Sequence, residues 1–197
     1  MVKRMILILA ATGLVFAQSF EYVGVDGCKM CHKSEAKGAQ FAKWEADVHA
    51  KAFETLKNEA SAKIAKDKGI AGPAWEAAEC LACHTTGFGA GGYAVKDAKF
   101  WEAVDDKGKP TKEVKTMAGL QSVSCEACHG PGSAYKSSKV MKDIFAGTVD
   151  GKTVGLIEPN EALCVTCHNQ KSPTFKPFKF ADRVKEIAHP YPAELKK

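Results

Sequence analysis

No cysteine of this 197-residue chain lies outside one short repeated pattern. The eight cysteines form four C-x-x-C pairs, each followed directly by histidine, in CKMCH (28–32), CLACH (80–84), CEACH (125–129) and CVTCH (164–168). A disulfide framework would not impose this spacing, and a thiol–disulfide redox motif needs no histidine. A zinc site could use the cysteine pairs, but it would not explain a histidine in the same place four times.

C-x-x-C-H is the attachment signature of c-type haem. The two thiols form thioethers with the haem vinyl groups, and the histidine reaches the iron from the proximal side. The pattern therefore predicts four covalently bound haem c groups. The attachment residues would be Cys28, Cys31, Cys80, Cys83, Cys125, Cys128, Cys164 and Cys167, with His32, His84, His129 and His168 as proximal ligands.

Long apolar runs are scarce too. The one candidate, Met5–Phe16, follows Lys3 and Arg4 and is too short to cross a bilayer comfortably. It is typical of a secretory signal peptide cut near Ala17, with an uncleaved membrane anchor as the alternative. We therefore expect a signal peptide at 1–17, a single tetrahaem domain at 18–197 and export to the periplasm, without a stable membrane span.

Neither charge nor phosphate-binding motifs point to nucleic acids or nucleotides. The formal charge of +5 falls to about +3 without Lys3 and Arg4, and haem propionates would bring the holoprotein near neutrality. The lysine-rich stretches are then a solvated face, or a docking surface for an acidic redox partner. The glycine-rich stretch 87–93 lacks the G-x-x-x-x-G-K-[ST] pattern, so it is expected to be a loop.

Histidine is limiting, because only His49 and His189 remain once four are proximal. We predict both as distal ligands, so at most two haems in one chain have two histidines. Outside the first haem motif, the mature chain offers Met117 and Met141 as further candidates, although a lone methionine is more often a core filler.

Local patterns predict two helical stretches and several turns and loops between them. Residues 34–69 are rich in Ala, Lys and Glu and predict helix ending at Gly69, with His49, Phe53 and Leu56 on one face. A short hairpin is expected around DDKGKP (105–110), a turn-rich connector at 148–163 and an extended segment at 172–180. The last element is a helix within 181–191 that ends before Pro190 and turns Val184 and Ile187 inward.

Several motifs together resemble the tetrahaem cytochrome c-554 family, the electron acceptors of hydroxylamine oxidoreductase in ammonia oxidisers. The likeness covers about residues 27–191 and is carried by W-x-x-x-x-HAKA, GFG-x-GGY and CE-x-CHGPG. It implies a compact, mainly α multihaem cytochrome with short helices and long loops wrapped around four haems in stacked pairs. It also implies that His49 and His189 are distal ligands and that the haem on His84 has an open sixth position.

The chain departs from this family after the third motif. The family supplies another distal histidine about ten residues further on, but this chain reads GPGSAYKSSKVMKD there. Tyr135, Lys139 or Met141 would have to replace it, or that haem is open too. We predict Met141, a soft thioether ligand, for the haem on His32.

Three functions fit these observations. The first is a periplasmic electron carrier between donor and acceptor proteins, with no catalytic residue. The second is an enzyme that reduces nitric oxide or a similar small nitrogen species at the open haem on His84. The third is a subunit of an extracellular cytochrome filament, in which the next chain completes a haem. The oligomeric state is open at this point.

Overall fold

The computed structural model describes residues 19–192, so the predicted signal peptide at 1–17 lies outside the described residues. The mainly α prediction is confirmed. Across the described range the elements are α-helices and short 3-10 turns, and one isolated antiparallel bridge joins Val104 to Pro110.

Eleven α-helices lie within residues 19–192. They are α1 (Asp26–His32), α2 (Gln40–Ala46), α3 (Ala52–Thr55), α4 (Glu59–Asp67), α5 (Ala78–His84), α6 (Ala98–Trp101), α7 (Lys112–Gly119), α8 (Cys125–His129), α9 (Ser138–Phe145), α10 (Glu161–Cys164) and α11 (Phe180–Ile187). The 3-10 turns are Glu35–Lys37, Val48–Lys51, Ala74–Glu76 and Gly151–Val154. No described helix is long and apolar enough to cross a bilayer.

The stretch 34–69 is mostly helical, as predicted, but it is broken rather than continuous. Gly38 ends the first turn in the left-handed region at φ 99°. Asp47 and Asn58 adopt extended backbone and accept hydrogen bonds from backbone N–H groups two or three residues ahead, so each starts a new helical segment. These caps place His49 at the start of a turn instead of in the middle of a long helix.

The apolar core is small. Phe53, Leu56, Leu81, Leu120 and Tyr93 are all at most 4% exposed and belong to one cluster. The predicted stripe on 49–56 is confirmed for its two apolar members, which enter this cluster. The core joins the segment after α2 to the helix of the second motif, so it fixes that motif against the segment that carries His49.

The connectors agree with their predictions only in part. The hairpin at 105–110 is reduced to the single Val104–Pro110 bridge, closed by Asp105, whose carboxylate accepts the N–H groups of Lys107 and Lys109. The terminal helix ends at Ile187, before Pro190, with Val184 and Ile187 half-buried on one face.

Candidate haem sites

Each haem motif lies on or at the end of a short helix. The first and second motifs close α1 and α5, the third forms the whole of α8, and the fourth begins in the last turn of α10. In a helix, side chains at i, i+3 and i+4 share one face. The local fold therefore turns both cysteines and the histidine of the first three motifs toward the same side.

The four motifs meet in space as two close pairs. The Cys28 thiol lies close to Cys125, and their interaction raises the pKa of Cys28 and lowers that of Cys125. The Cys83 thiol lies close to Cys167 in the same way, and their interaction raises the pKa of Cys83 and lowers that of Cys167. Haem attachment converts these thiols into thioethers, so these contacts chiefly establish proximity: the first motif lies against the third, and the second against the fourth.

The two pairs also lie near each other. Burial is the main cause that raises the pKa of the Cys128 thiol to about 11, and the charges of Cys164 and Cys167 contribute to the shift. The third and fourth motifs are therefore neighbours. In space the motifs form a continuous series in the order first, third, fourth, second.

The two histidines outside the motifs each face one motif histidine. The ring centroids of His49 and His168 are 6.0 Å apart, and those of His129 and His189 are 6.1 Å apart. Two imidazoles that bind one metal from opposite sides should have centroids about 6 Å apart, because each metal–nitrogen bond is about 2 Å long. The ring planes are nearly perpendicular, at 89° and 73°. Both pairs fit an iron between them.

Three histidines have their Nδ1 atom engaged by a hydrogen-bond acceptor. His49 pairs with the Asp47 carboxylate at 2.8 Å, His189 with the Ile187 carbonyl at 2.8 Å and His84 with the Ala52 carbonyl at 2.6 Å. Such a partner fixes the tautomer and leaves Nε2 for a metal. Both predicted distal histidines have this arrangement.

Three of the four motif histidines, His32, His129 and His168, are held neutral by burial. Burial lowers the pKa of His129 and of His168. Burial also lowers the pKa of His32, and this outweighs the opposite effect of the nearby Gln40 side chain. A neutral imidazole is the form that binds iron, so the electrostatics of these sites suit haem ligation.

Apolar side chains beside the motifs fit a porphyrin. Met30 within the first motif is 81% exposed, Val48 next to His49 is 77% exposed, and Val165 within the fourth motif is 40% exposed. The Phe178 ring stacks on His168 with centroids 4.6 Å apart and planes 15° apart, which fixes the imidazole. Among the described residues, no three His, Cys, Asp or Glu side chains converge as a metal site of their own. The motif cysteines, the facing histidines and these apolar side chains together fit haem.

The segment after the third motif uses its three candidate ligands differently. The Tyr135 hydroxyl is buried and donates to the carbonyl oxygens of Gly130 at 2.6 Å and His129 at 3.1 Å. Lys139 extends into solvent and pairs with Asp143 at 2.7 Å. Met141 is half-buried on α9. Of the three, Met141 is the one whose side-chain heteroatom has no hydrogen-bond partner in the described structure.

Glu126, which the sequence analysis did not single out, lies inside the third motif and is 2% exposed. Its carboxylate accepts the N–H groups of Val23, Gly24 and Gly132 at 2.7–3.1 Å. Burial raises the pKa of this carboxyl, while these donors and Lys136 lower it and offset part of that effect. The carboxylate fastens the first described segment to the third haem site. The sequence signal that could have identified it is a charged residue between the two cysteines of a haem motif.

The tryptophan of the W-x-x-x-x-HAKA motif also has a positioning role. The Trp44 indole donates to the Val123 carbonyl at 2.9 Å, and the Val123 N–H donates to the His49 carbonyl at 3.1 Å. These two bonds fasten the segment around His49 to the residues just before the third motif. The sequence analysis also missed Asp47, two residues before His49. The available signal was an acidic residue close before a candidate ligand histidine, at a position where it could cap a helical turn.

Comparisons with known proteins agree with these sites. A structure titled "Reduced state of cytochrome c554 from Nitrosomonas europaea" superposes with a TM-score of 0.51 at 26% identity, over 86% of this chain and 79% of that one. Cytochrome c-554 of the same organism is 31% identical over 134 residues, which are 66% of this chain. The match spans 47% of that relative, about half its length.

The family model described as "Cytochrome c554 and c-prime" matches residues 27–130, which include the first three motifs. This is more than half of the chain, and the resemblance seen in the sequence is confirmed. The chain therefore belongs to the family of cytochrome c554 and c-prime, and it carries four covalently bound haem c groups.

Proposed function

We propose that the chain is an exported, periplasmic electron carrier that accepts electrons from one protein and passes them to another. The observation that supports this most strongly is the continuous series of four motifs, whose cysteines lie close to one another. When bound, the haem irons supply a one-electron ferric–ferrous couple. The chain's own residues hold the four sites close together and provide their axial ligands.

The histidine geometry supports two axial ligand pairs. His49 serves the haem whose proximal ligand is His168, and His189 serves the haem whose proximal ligand is His129. The centroid separations of 6.0 and 6.1 Å support both pairs. Because both non-motif histidines are used in this way, the haems on His32 and His84 have no second histidine within the chain.

Met141 is assigned as the distal ligand of the haem on His32. Phe145, the last residue of α9, packs on Tyr191 with ring centroids 4.9 Å apart. This contact holds the helix of Met141 against the segment that carries His189, and the charge of His189 contributes to lowering the pKa of His32. The methionine therefore lies on a helix that is joined, through Tyr191, to the segment whose His189 is close to the first site.

A second candidate function is reduction of a small nitrogen species at the haem on His84. The observation in its favour is that His84 is ordered by the Ala52 carbonyl on its Nδ1 side and has no facing histidine among the described residues. A site with one protein ligand leaves a position where a small molecule can bind. Steady-state turnover with nitric oxide distinguishes this enzyme from a carrier.

Export, domain organisation and partners complete the proposal. The signal peptide at 1–17 sends residues 18–197 to the periplasm as one domain, where covalent haem attachment takes place. Donor and acceptor proteins would dock through the lysine-rich surface by charge complementarity, so their association rates should fall as salt rises.

The ligand pairs are tested with His49→Ala and His189→Ala in the holoprotein. Each substitution should convert one low-spin haem to high spin and leave the covalent haem content at four, as measured by optical spectra and intact mass. Lys51→Ala, an exposed change on the same turn as His49, is the matched control. Unchanged spin states in both histidine variants would refute the assignment.

Electron transport itself is tested by a spectroelectrochemical titration and by stopped-flow reduction. A single donor should reduce all four haems, and a single acceptor should reoxidise all four. No haem should fail to exchange electrons with the others. A haem that stays oxidised while the other three exchange electrons would contradict the continuous series.

A further inference from the structure

The two distal histidines are held by partners of different charge. Asp47 places one carboxylate oxygen, Oδ1, 2.8 Å from His49 Nδ1. His189 Nδ1 has instead the neutral carbonyl of Ile187, also at 2.8 Å. The distances are equal, so the difference between the two sites lies in the formal charge of the acceptor.

The same Asp47 oxygen accepts the backbone N–H of His49 at 2.9 Å. Its carboxylate is therefore fixed from two directions and has little freedom to turn away from the ring. The side chains of Asp47 and His49 are 24% and 28% exposed, so water screens this contact only in part. The geometry keeps a negative charge directly behind one iron ligand.

A carboxylate behind a ligating imidazole raises the basicity of the ligand, and such partners tune the metal. A more basic ligand and a nearby negative charge both favour ferric over ferrous iron, because the ferric site carries one more positive charge. The carbonyl behind His189 has a dipole but no formal charge, so its effect is smaller. The two bis-histidine sites should differ in potential for this reason.

We propose that Asp47 is a positioning residue that orients His49 and gives the haem on His168 a lower reduction potential than the haem on His129. This inference rests on the proposed pairing of His49 with His168. It assigns a redox role to a residue that would otherwise be described only as the cap of a helical turn.

Asp47→Asn separates the charge from the cap. Asparagine is as good an N-cap as aspartate, and its amide oxygen can still accept the Nδ1–H group. The substitution therefore keeps the shape and removes the charge. Glu45→Gln is the matched control, because Glu45 is an exposed acid two residues before Asp47 and its substitution removes the same charge.

The experiment is a spectroelectrochemical titration of the wild-type, Asp47→Asn, Glu45→Gln and His49→Ala holoproteins, with spin states read from optical and EPR spectra. Loss of the partner behind a ligating histidine changes metal affinity about 10–100-fold, and loss of a negative charge weakens ferric binding more than ferrous binding. A tenfold change in the ratio of these two affinities corresponds to about 59 mV for one electron, so Asp47→Asn should shift one of the four steps upward by about that amount. The other three steps should stay in place.

Two results would overturn this inference and leave the proposed ligand pairs intact. One is a set of four unchanged steps in Asp47→Asn while His49→Ala still produces a high-spin haem, because the ligand pair would then stand without a role for the charge. The other is an equal shift in Glu45→Gln, which would indicate a general surface-charge effect. If His49→Ala changes no haem, the ligand assignment fails, and the role of Asp47 through His49 fails with it.

Discussion

Replacing the buried Glu126 with glutamine should loosen the third haem site. The carboxylate accepts three backbone N–H groups, with Val23 shared between both oxygens, Gly24 on Oε2 and Gly132 on Oε1. Either orientation of a glutamine amide turns its NH₂ group toward the N–H of one glycine. At least one charge-assisted hydrogen bond is lost, and such bonds contribute about 1.5–3 kcal/mol each.

Part of this loss is offset, because burying a neutral amide costs less than burying a carboxylate. We therefore expect Glu126→Gln to lower the free energy of unfolding by about 2 kcal/mol. With a urea dependence of roughly 2 kcal/mol per molar, the unfolding midpoint should fall by about 1 M. The assay is urea unfolding of the holoprotein at neutral pH, followed by circular dichroism, after intact mass has confirmed four haems.

Glu79→Gln is the control for this prediction. Glu79 also adjoins a haem-motif cysteine and loses the same charge, but its side chain is exposed. The free energy of unfolding of Glu79→Gln should differ from that of the wild type by no more than about 0.5 kcal/mol. Equal midpoints for the two variants would refute the reasoning, since the buried hydrogen bonds would then contribute nothing beyond surface charge.

Three further predictions concern ligands and pH. Reduced holoprotein should bind carbon monoxide rapidly at one site, the haem on His84, without displacing a protein ligand; stopped-flow spectra with no fast phase would contradict this. Met141→Ala should remove one high-potential step from a redox titration, because a thioether favours ferrous iron, and an unchanged titration would assign Met141 to packing. The N–H groups of Lys109 and Lys107 lower the pKa of Asp105, so its stabilisation of the 105–109 turn is present above the ordinary aspartate value of about 3.9 and is lost as pH falls through the lower folded value. An NMR titration that follows the amide protons of Lys107 and Lys109 should therefore have its midpoint below that ordinary value. A midpoint at or above it would contradict the prediction.

The sequence predicted what depends on local pattern. The four C-x-x-C-H motifs need only five residues each, and their regularity indicated the cofactor, its number and its attachment. The burial of Phe53 and Leu56 followed from helical spacing, and the end of the last helix followed from Pro190. These features are decided within a few residues, so a single sequence contains them.

Long-range pairing could not be obtained in this way. Nothing local to His49 indicates that it faces His168 rather than another motif histidine, because their 119-residue separation is closed by tertiary packing. The break of the 34–69 helix at Asp47 was also missed, since helix propensity favoured continuity while a capping hydrogen bond favoured a new turn. That same break places the aspartate behind the His49 ring.

The most direct test of the account is the low-temperature EPR spectrum of the fully oxidised, monomeric holoprotein. Two irons should give low-spin signals of the highly anisotropic kind that perpendicular axial imidazoles produce, because the planes of His49 and His168 are 89° apart and those of His129 and His189 are 73° apart. The other two irons should give different signals, since no second histidine remains for them. Signals typical of parallel imidazoles at both sites, or more than two bis-histidine centres in a verified monomer, would contradict the ligand pairs on which the account depends.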